Sequence, residues 1–226
     1  MPSVLDLPPA DRPRERLRTL GAQALTTSEL LGLLLGSAAP GRSSADVAAS
    51  VIQRCGGSLR KVGQTPIATL TGIPGLGEVR ALAIHAAIEL GRRLAAEGAD
   101  AGEPLRGPRD VWRYYAPRLE GLTVEEFHVA ILDSQHRIER DVLVSRGILN
   151  SSLVHPREVF REAIAERAAS LVLVHNHPSG DPTPSSDDRA ITSQLVAAGR
   201  LLDIPIQDHV VVGRGRYVSF AEAGLL

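Results

Sequence analysis

The sequence holds a single cysteine, Cys55, so no disulfide can form within the chain and no cysteine-built zinc cage is possible. A reducing, cytoplasmic setting is the simple expectation. The first residues, Met-Pro-Ser-Val-Leu-Asp-Leu-Pro-Pro, lack the basic-then-apolar order of a signal peptide. No uninterrupted apolar run approaches the roughly 20 residues that span a bilayer, so no membrane partner is expected. An excess of positive charge is also missing. The net charge is −1, with 11 Lys+Arg against 9 Asp+Glu in residues 1–100 and 14 against 17 in the remainder. A strongly basic nucleic-acid binder is thereby excluded. There is no internal repeat.

What is present is enough apolar matter for a core: 43% of 226 residues. The first hundred residues carry helical signals. Thr27-Ser28-Glu29 precedes a leucine-rich stretch at 30–35, a helix start with a capping hydroxyl. Gly36 to Ser44 reads as a turn, Ala45 to Arg54 as an amphipathic helix and Pro66 to Leu70 as a short one. Ile73-Pro74-Gly75-Leu76-Gly77 then leads into a long helix from Glu78 to about Ala96. Residues 98–108, rich in glycine and proline, read as a linker between a helical domain at 1–97 and a second domain at 109–226.

The pattern changes there. A helix is expected over 110–119 and strands over 127–132 and 138–147, with a turn between the strands. A helix over 156–168 follows. Leu171-Val172-Leu173-Val174 is a continuous apolar run, as a strand buried on both faces requires. A helix over 185–202 and closing strands at 208–213 and 217–219 complete the chain. The alternation predicts an α/β (α+β) fold for this half, after a small all-helical domain.

The segment His175-Asn176-His177-Pro178-Ser179-Gly180-Asp181 follows the buried run directly. Histidines at i and i+2 share a face if the strand continues. Two imidazole nitrogens can then reach one ion at about 2.0–2.1 Å. Asp188, in the first turn of the next helix, can supply a third ligand and leave a fourth position for water, the catalytic arrangement. A mononuclear site for one Zn2+ per chain is expected, on His175, His177 and Asp188. Taken alone, a His-x-His pair is more often two surface or half-buried histidines. Ser185 and Asp188 alone form a helix N-cap and its N3 carboxylate. The two features standing eleven residues apart across a Pro/Gly turn make the metal reading the sharper one.

Here the sequence resembles a known family. His175, His177, Pro178, Ser185 and Asp188 match the JAMM (MPN+) metalloprotease motif. His155-Pro156-Arg157-Glu158, Asp208-His209, Tyr217-Val218-Ser219-Phe220, Pro13-Arg14-Glu15-Arg16-Leu17 and the segment Leu25 to Leu31 resemble the bacterial RadC family, so the likeness covers nearly the whole chain. It implies a mixed-sheet JAMM/MPN-like domain and hydrolysis of an unidentified peptide or protein substrate. It also implies a general base upstream of the strand, where Glu126 stands, and an oxyanion-stabilising hydroxyl at Ser185. Glu125 is one residue off and faces the opposite way on a strand. Glu120, Asp133 and Glu139 are further acids nearby. His155 and His209 are rival ligands or supports for the ligands.

Residues 73–77 resemble a helix-hairpin-helix motif. Gly75 and Gly77 permit tight backbone whose amides, with the next helix N-terminus, can hold a phosphate, aided by Arg80, Arg92 and Arg93. The competing readings are a plain helix–helix turn and a weak, non-specific DNA contact. RadC-like proteins also carry a DNA-repair label, so an accessory protein of repair or recombination is the alternative to an enzyme.

Overall fold

The computed structural model describes residues 7–36, 42–97, 102–147 and 154–226. The expected turn at 36–44 and linker at 98–108 therefore lie partly outside the described residues, at 37–41 and 98–101. The chain divides into two compact units, Met1–Gly91 and Arg92–Leu226.

The first unit is helical: α1 (Pro13–Leu20), α2 (Thr27–Leu35), α3 (Ser44–Arg54), α4 (Leu59–Gln64), α5 (Ile67–Thr71) and the start of α6 (Glu78–Glu97). Two of these, α1 and α4, were not apparent in the sequence pattern. Helix α1 opens with Pro13 at its first turn, where a missing N–H costs nothing. The capping hydroxyl of α2 is Thr26, which accepts from Glu29 N while the Glu29 carboxylate accepts from Thr26 N. Ser43 and Asp46 make the same box at α3. Leu31, Val47, Val51, Val62, Leu70 and Ile84 lie at the centre of the core these helices share.

The second unit is a five-stranded mixed sheet. Helix α7 (Pro108–Leu119) precedes β1 (Glu126–Leu132) and β2 (Ile138–Arg146). Helix α8 (Pro156–Ala165), β3 (Ser170–Asn176), α9 (Ser186–Leu202), β4 (Ile206–Val212) and β5 (Tyr217–Ser219) follow. The spatial order is β2-β1-β3-β4-β5, antiparallel except for β3 beside β4. The parallel pair needs a crossover, which α9 supplies. Helix α8 stops three residues short of the expected end because Arg167 takes a left-handed φ of 56°.

Strand alternation sorts the core into two layers. Phe127, Val129, Ile131, Leu171 and Leu173 pack with residues of α8 and α9. Ala130, Leu132, Val172, Val174, Val210 and Val212 pack with Tyr115 and Leu119 of α7. Central β1 and β3 are buried along their whole length, so both must be apolar on both faces. The polar exceptions on these strands are therefore informative.

Candidate metal centre

His175 is the penultimate residue of β3, and His177 lies one residue beyond the strand's end. The amide of His177 still donates to Val212 O at 3.1 Å, so extended geometry persists past the strand. The two rings lie on one side, 4.8 Å apart. Asn176 turns to the other side, where its Oδ1 accepts from Glu126 N and its Nδ2 donates to Val124 O. Gly180, at φ +86°, turns the chain after His177 and lets Asp188 return in the first turn of α9.

The third carboxylate is oriented locally. Asp188 Oδ2 accepts from Ser185 N and from Ser185 Oγ, both at 2.7 Å, and Ser185 Oγ accepts from Asp188 N at 3.1 Å. This is the capping box of α9. The geometry that caps the helix also leaves Asp188 among residues that could hold a metal ion. The box leaves the carboxylate facing both imidazoles: Asp188 Oδ1 is 3.2 Å from His175 Nε2 and Oδ2 is 3.4 Å from His177 Nε2. The two Nε2 atoms are 3.0 Å apart.

These separations are a test of whether an ion fits. Ligands 2.0–2.1 Å from a tetrahedral centre stand about 3.3 Å from one another, and here one donor atom from each residue lies within 4.8 Å of the others. The donor set is also of the right chemistry. The Nδ1 of His177 meets Asp181 O at 2.7 Å, and a carbonyl can only accept, so Nδ1 donates there and, in the neutral ring, Nε2 is the nitrogen left for an ion. His175, His177 and Asp188 could hold a metal ion. His175 and Asp188 are 0% and 3% exposed while the His177 side chain is 14% exposed, so solvent approaches from the His177 side.

Electrostatics agree. Burial opposes ionisation of Asp188, but hydrogen bonds to His175 and His177, the charge of His175 and the Ser185 bond outweigh it, holding the carboxyl far below its usual range. Its hydrogen bond to Asp188 raises the His177 pKa against burial, with smaller contributions from Asp181 O and from the charges of Asp188 and Glu125.

Behind the ligands, His175 Nδ1 is 2.8 Å from His209 Nε2. His209 is fully buried, which pushes its pKa well down. Phe127 and Phe220 stack on His175 and His209 respectively, so two of the chain's three phenylalanines enclose this pair. His155 instead caps α8, its Nδ1 accepting from Arg157 N.

Glu126, offered by the sequence as the base, is not brought to this group. Its neighbour Phe127 pairs with His175 and stacks on it, so Glu126 projects through the other face of the sheet. There its carboxylate meets His128 Nε2 at 3.2 Å and Arg146 Nε at 2.9 Å. The other ring nitrogen of His128 meets Asp141, which also accepts from Tyr115 Oη. Glu125 shares the parity of Phe127 and His175. Gly147 N donates to Glu125 O, so strand geometry extends back to it. The sequence shows that Glu125 and Glu126 face opposite ways. It does not show which face holds His175, because that depends on a register 48 residues away in the chain. Of the two supporting residues, His209 stood among the sequence candidates and Thr192 did not; a signal for Thr192 is its i+4 spacing from Asp188 on α9.

In the first unit, Gly75 has φ +87° and Gly77 is exposed with open space around it. Ile73 and Leu76 anchor the hairpin in the core. Arg42 donates to Pro74 O and Arg80 to Gly75 O, so two guanidinium groups lie on the hairpin, with Glu78 exposed beside them.

Fold and site together define a JAB-type domain with a His-His-Asp group, preceded by a helical unit. Residues 105–225 match the RadC-like JAB domain family, and residues 4–82 match the UPF0758 N-terminal family. The chain is 45% identical to a UPF0758 protein of Symbiobacterium thermophilum, covering 100% of this chain and 98% of that one. It is 43% identical to one of Trichlorobacter lovleyi (99% and 98% covered) and 38% to one of Methanosarcina acetivorans (99% and 96%). The chain belongs to this RadC-like UPF0758 family. Among the described residues, no helix is long and apolar enough to cross a membrane.

Proposed function

We propose that this protein is a zinc-dependent hydrolase of peptide or isopeptide bonds. The observation that carries the reading is the convergence of His175 Nε2, His177 Nε2 and the Asp188 carboxylate at 3.0–3.4 Å from one another. Two imidazoles and one carboxylate suit zinc and leave a fourth position open. A zinc ion held by His175, His177 and Asp188 would supply Lewis acidity, making water a better nucleophile near neutral pH and polarising a carbonyl.

The chain's own residues supply the rest. A carboxylate must take the water proton and return it to the leaving nitrogen. Glu125 is assigned that work in place of Glu126. Its parity just ahead of β1 and its charge on His177 support it, whereas Glu126 is engaged by His128 and Arg146. Ser185, whose hydroxyl lies beside the Asp188 carboxylate, is assigned the stabilisation of the developing oxyanion. The test is a panel of peptide and isopeptide substrates incubated with the purified protein, with zinc and after chelation. Zinc-dependent cleavage that disappears in His175→Ala is the expected result; no cleavage of any substrate would sink the reading.

The hairpin at 73–77 favours a second, separable reading, weak sequence-independent contact with DNA phosphates. The open backbone at Gly77 and the guanidinium groups of Arg42 and Arg80 support it.

A further inference from the structure

Behind the three proposed ligands lies a closed chain of hydrogen bonds whose direction is determined at one end. Thr192 Oγ1 is 2.5 Å from Asp188 O. A carbonyl oxygen has no proton to give, so the threonine hydroxyl donates and its single proton is spent. The same oxygen is 2.6 Å from His209 Nδ1. With no proton left, Thr192 Oγ1 must accept there, so His209 carries its proton on Nδ1. His209 is fully buried, and its two ring nitrogens are taken by Thr192 and His175. A neutral imidazole protonated on Nδ1 is an acceptor at Nε2. The 2.8 Å contact then has only one possible donor, His175 Nδ1. In its neutral form His175 is then left with a bare Nε2, aimed at Asp188 and His177.

We propose that Thr192 and His209 are positioning residues that hold His175 in the tautomer and orientation needed to ligate metal. The inference rests on the metal reading above and adds to it the source of the ligand's orientation. The wire begins at the backbone of Asp188 and ends on the ring of His175. It therefore ties two ligands that are 13 positions apart in sequence into one buried unit. Its inner members are screened from water: Thr192 is 1% exposed and His209 0%. Phe127 and Phe220 pack on the His209 ring, edge-on and face-on, which leaves it little freedom to flip. Reversing either bond of His209 would put the proton of a neutral His175 on Nε2, where the ion must sit. His177 needs no such wire, because its Nδ1 donates directly to Asp181 O.

The test uses the intact protein. In the metal-free protein at about pH 8.5, where an ordinary histidine is neutral, two-bond ¹H–¹⁵N correlations of ¹⁵N-histidine-labelled protein report each tautomer. His209 is expected with its proton on Nδ1, and His175 likewise. His209 protonated on Nε2 would overturn the wire, whether or not the protein binds zinc. Zinc affinity is then measured by chelator competition. Thr192→Val should weaken zinc about 10–100-fold, the usual effect of removing such a supporting partner. Thr192→Ser, which keeps the hydroxyl, should restore affinity to within a few-fold. Unfolding temperatures of the metal-free variants separate lost positioning from lost fold. Thr192→Val binding zinc as tightly as wild type would refute the proposal. Absence of zinc binding by wild type would refute the metal reading, while the tautomer of His209 still decides the wire.

Discussion

The Phe127 ring lies nearly parallel to the His175 imidazole, with centroids 6.1 Å apart and planes 17° apart. This contact tells the two faces of β1 apart. Everything of Phe127's parity belongs to the metal side, and everything of Glu126's parity belongs to the α7 side. The neighbouring glutamates 125 and 126 are thereby given different surroundings, and they should behave differently.

Glu125→Gln is expected to keep metal and fold yet lose hydrolysis by roughly 10²–10⁴-fold, the usual worth of general acid–base catalysis. Glu126→Gln should keep hydrolysis within a few-fold and show its effect in stability, because His128 and Arg146 lose a charged partner. Turnover of any zinc-dependent substrate, measured beside thermal unfolding, checks both. A dead Glu126→Gln with a fully active Glu125→Gln would return the base to Glu126.

Metal content is the most direct measurement. Purified protein should hold about one zinc per chain. His175→Ala combined with His177→Ala should abolish it, as should Asp188→Ala, which also removes half of the α9 capping box and about 1 kcal/mol of stability with it. Elemental analysis showing unchanged zinc in the double histidine variant would rule the site out.

Gly213 closes β4 against the loop that follows His177. A Cβ there would stand 2.6 Å from Pro182 Cδ and 2.7 Å from Gly180 O. Since backbone must yield, Gly213→Ala should cost about 1–3 kcal/mol, as overpacking does. It should also loosen zinc, because the displaced loop carries the Asp181 carbonyl that orients His177. Denaturant unfolding and a zinc titration give the two answers; an unchanged midpoint and affinity would show that the loop is not clamped.

His128 gives a pH prediction. Burial resists its charge, but the hydrogen bond and charge of Asp141, and then of Glu126, outweigh burial and raise its pKa. A raised pKa in the folded state means protons are bound more tightly when folded. The stabilisation is complete below the unfolded value near 6.5 and is lost as pH rises through the folded value. The stability difference between wild type and His128→Gln should therefore be larger at pH 5.5 than at pH 8.5. An equal difference at both would show that the ring is neutral throughout.

For the hairpin, binding of duplex DNA by the full chain should be weak, without sequence preference, and fall steeply with salt. Gly77→Asp should remove it without unfolding, since the position is open and its φ is not left-handed. Gly75→Asp is a poorer probe, because φ +87° strains any residue with a Cβ. No binding at low salt would leave the hairpin as a structural turn.

Three times the sequence writes the same local phrase, a hydroxyl residue followed three positions later by an acid: Thr26 and Glu29, Ser43 and Asp46, Ser185 and Asp188. Three times the structure builds the same capping box. Helices α1 and α4 were not legible in the sequence, while the start of α9, the apolar strand before His175, the shared face of His175 and His177 and the α/β alternation were. Each depends on backbone geometry over a few residues, which side-chain type and spacing control. What the phrase could not say is that Glu29 and Asp46 would serve as caps while Asp188 would be buried against two histidines. That needed α9 to dock beside β3. The choice between Glu125 and Glu126 needed the pairing of Phe127 with His175, and the support of His175 needed β4 to bring His209 alongside. These contacts join residues 11 to 48 positions apart. Their register is decided by which apolar faces the sheet and its three helices bury together, and no local pattern encodes that.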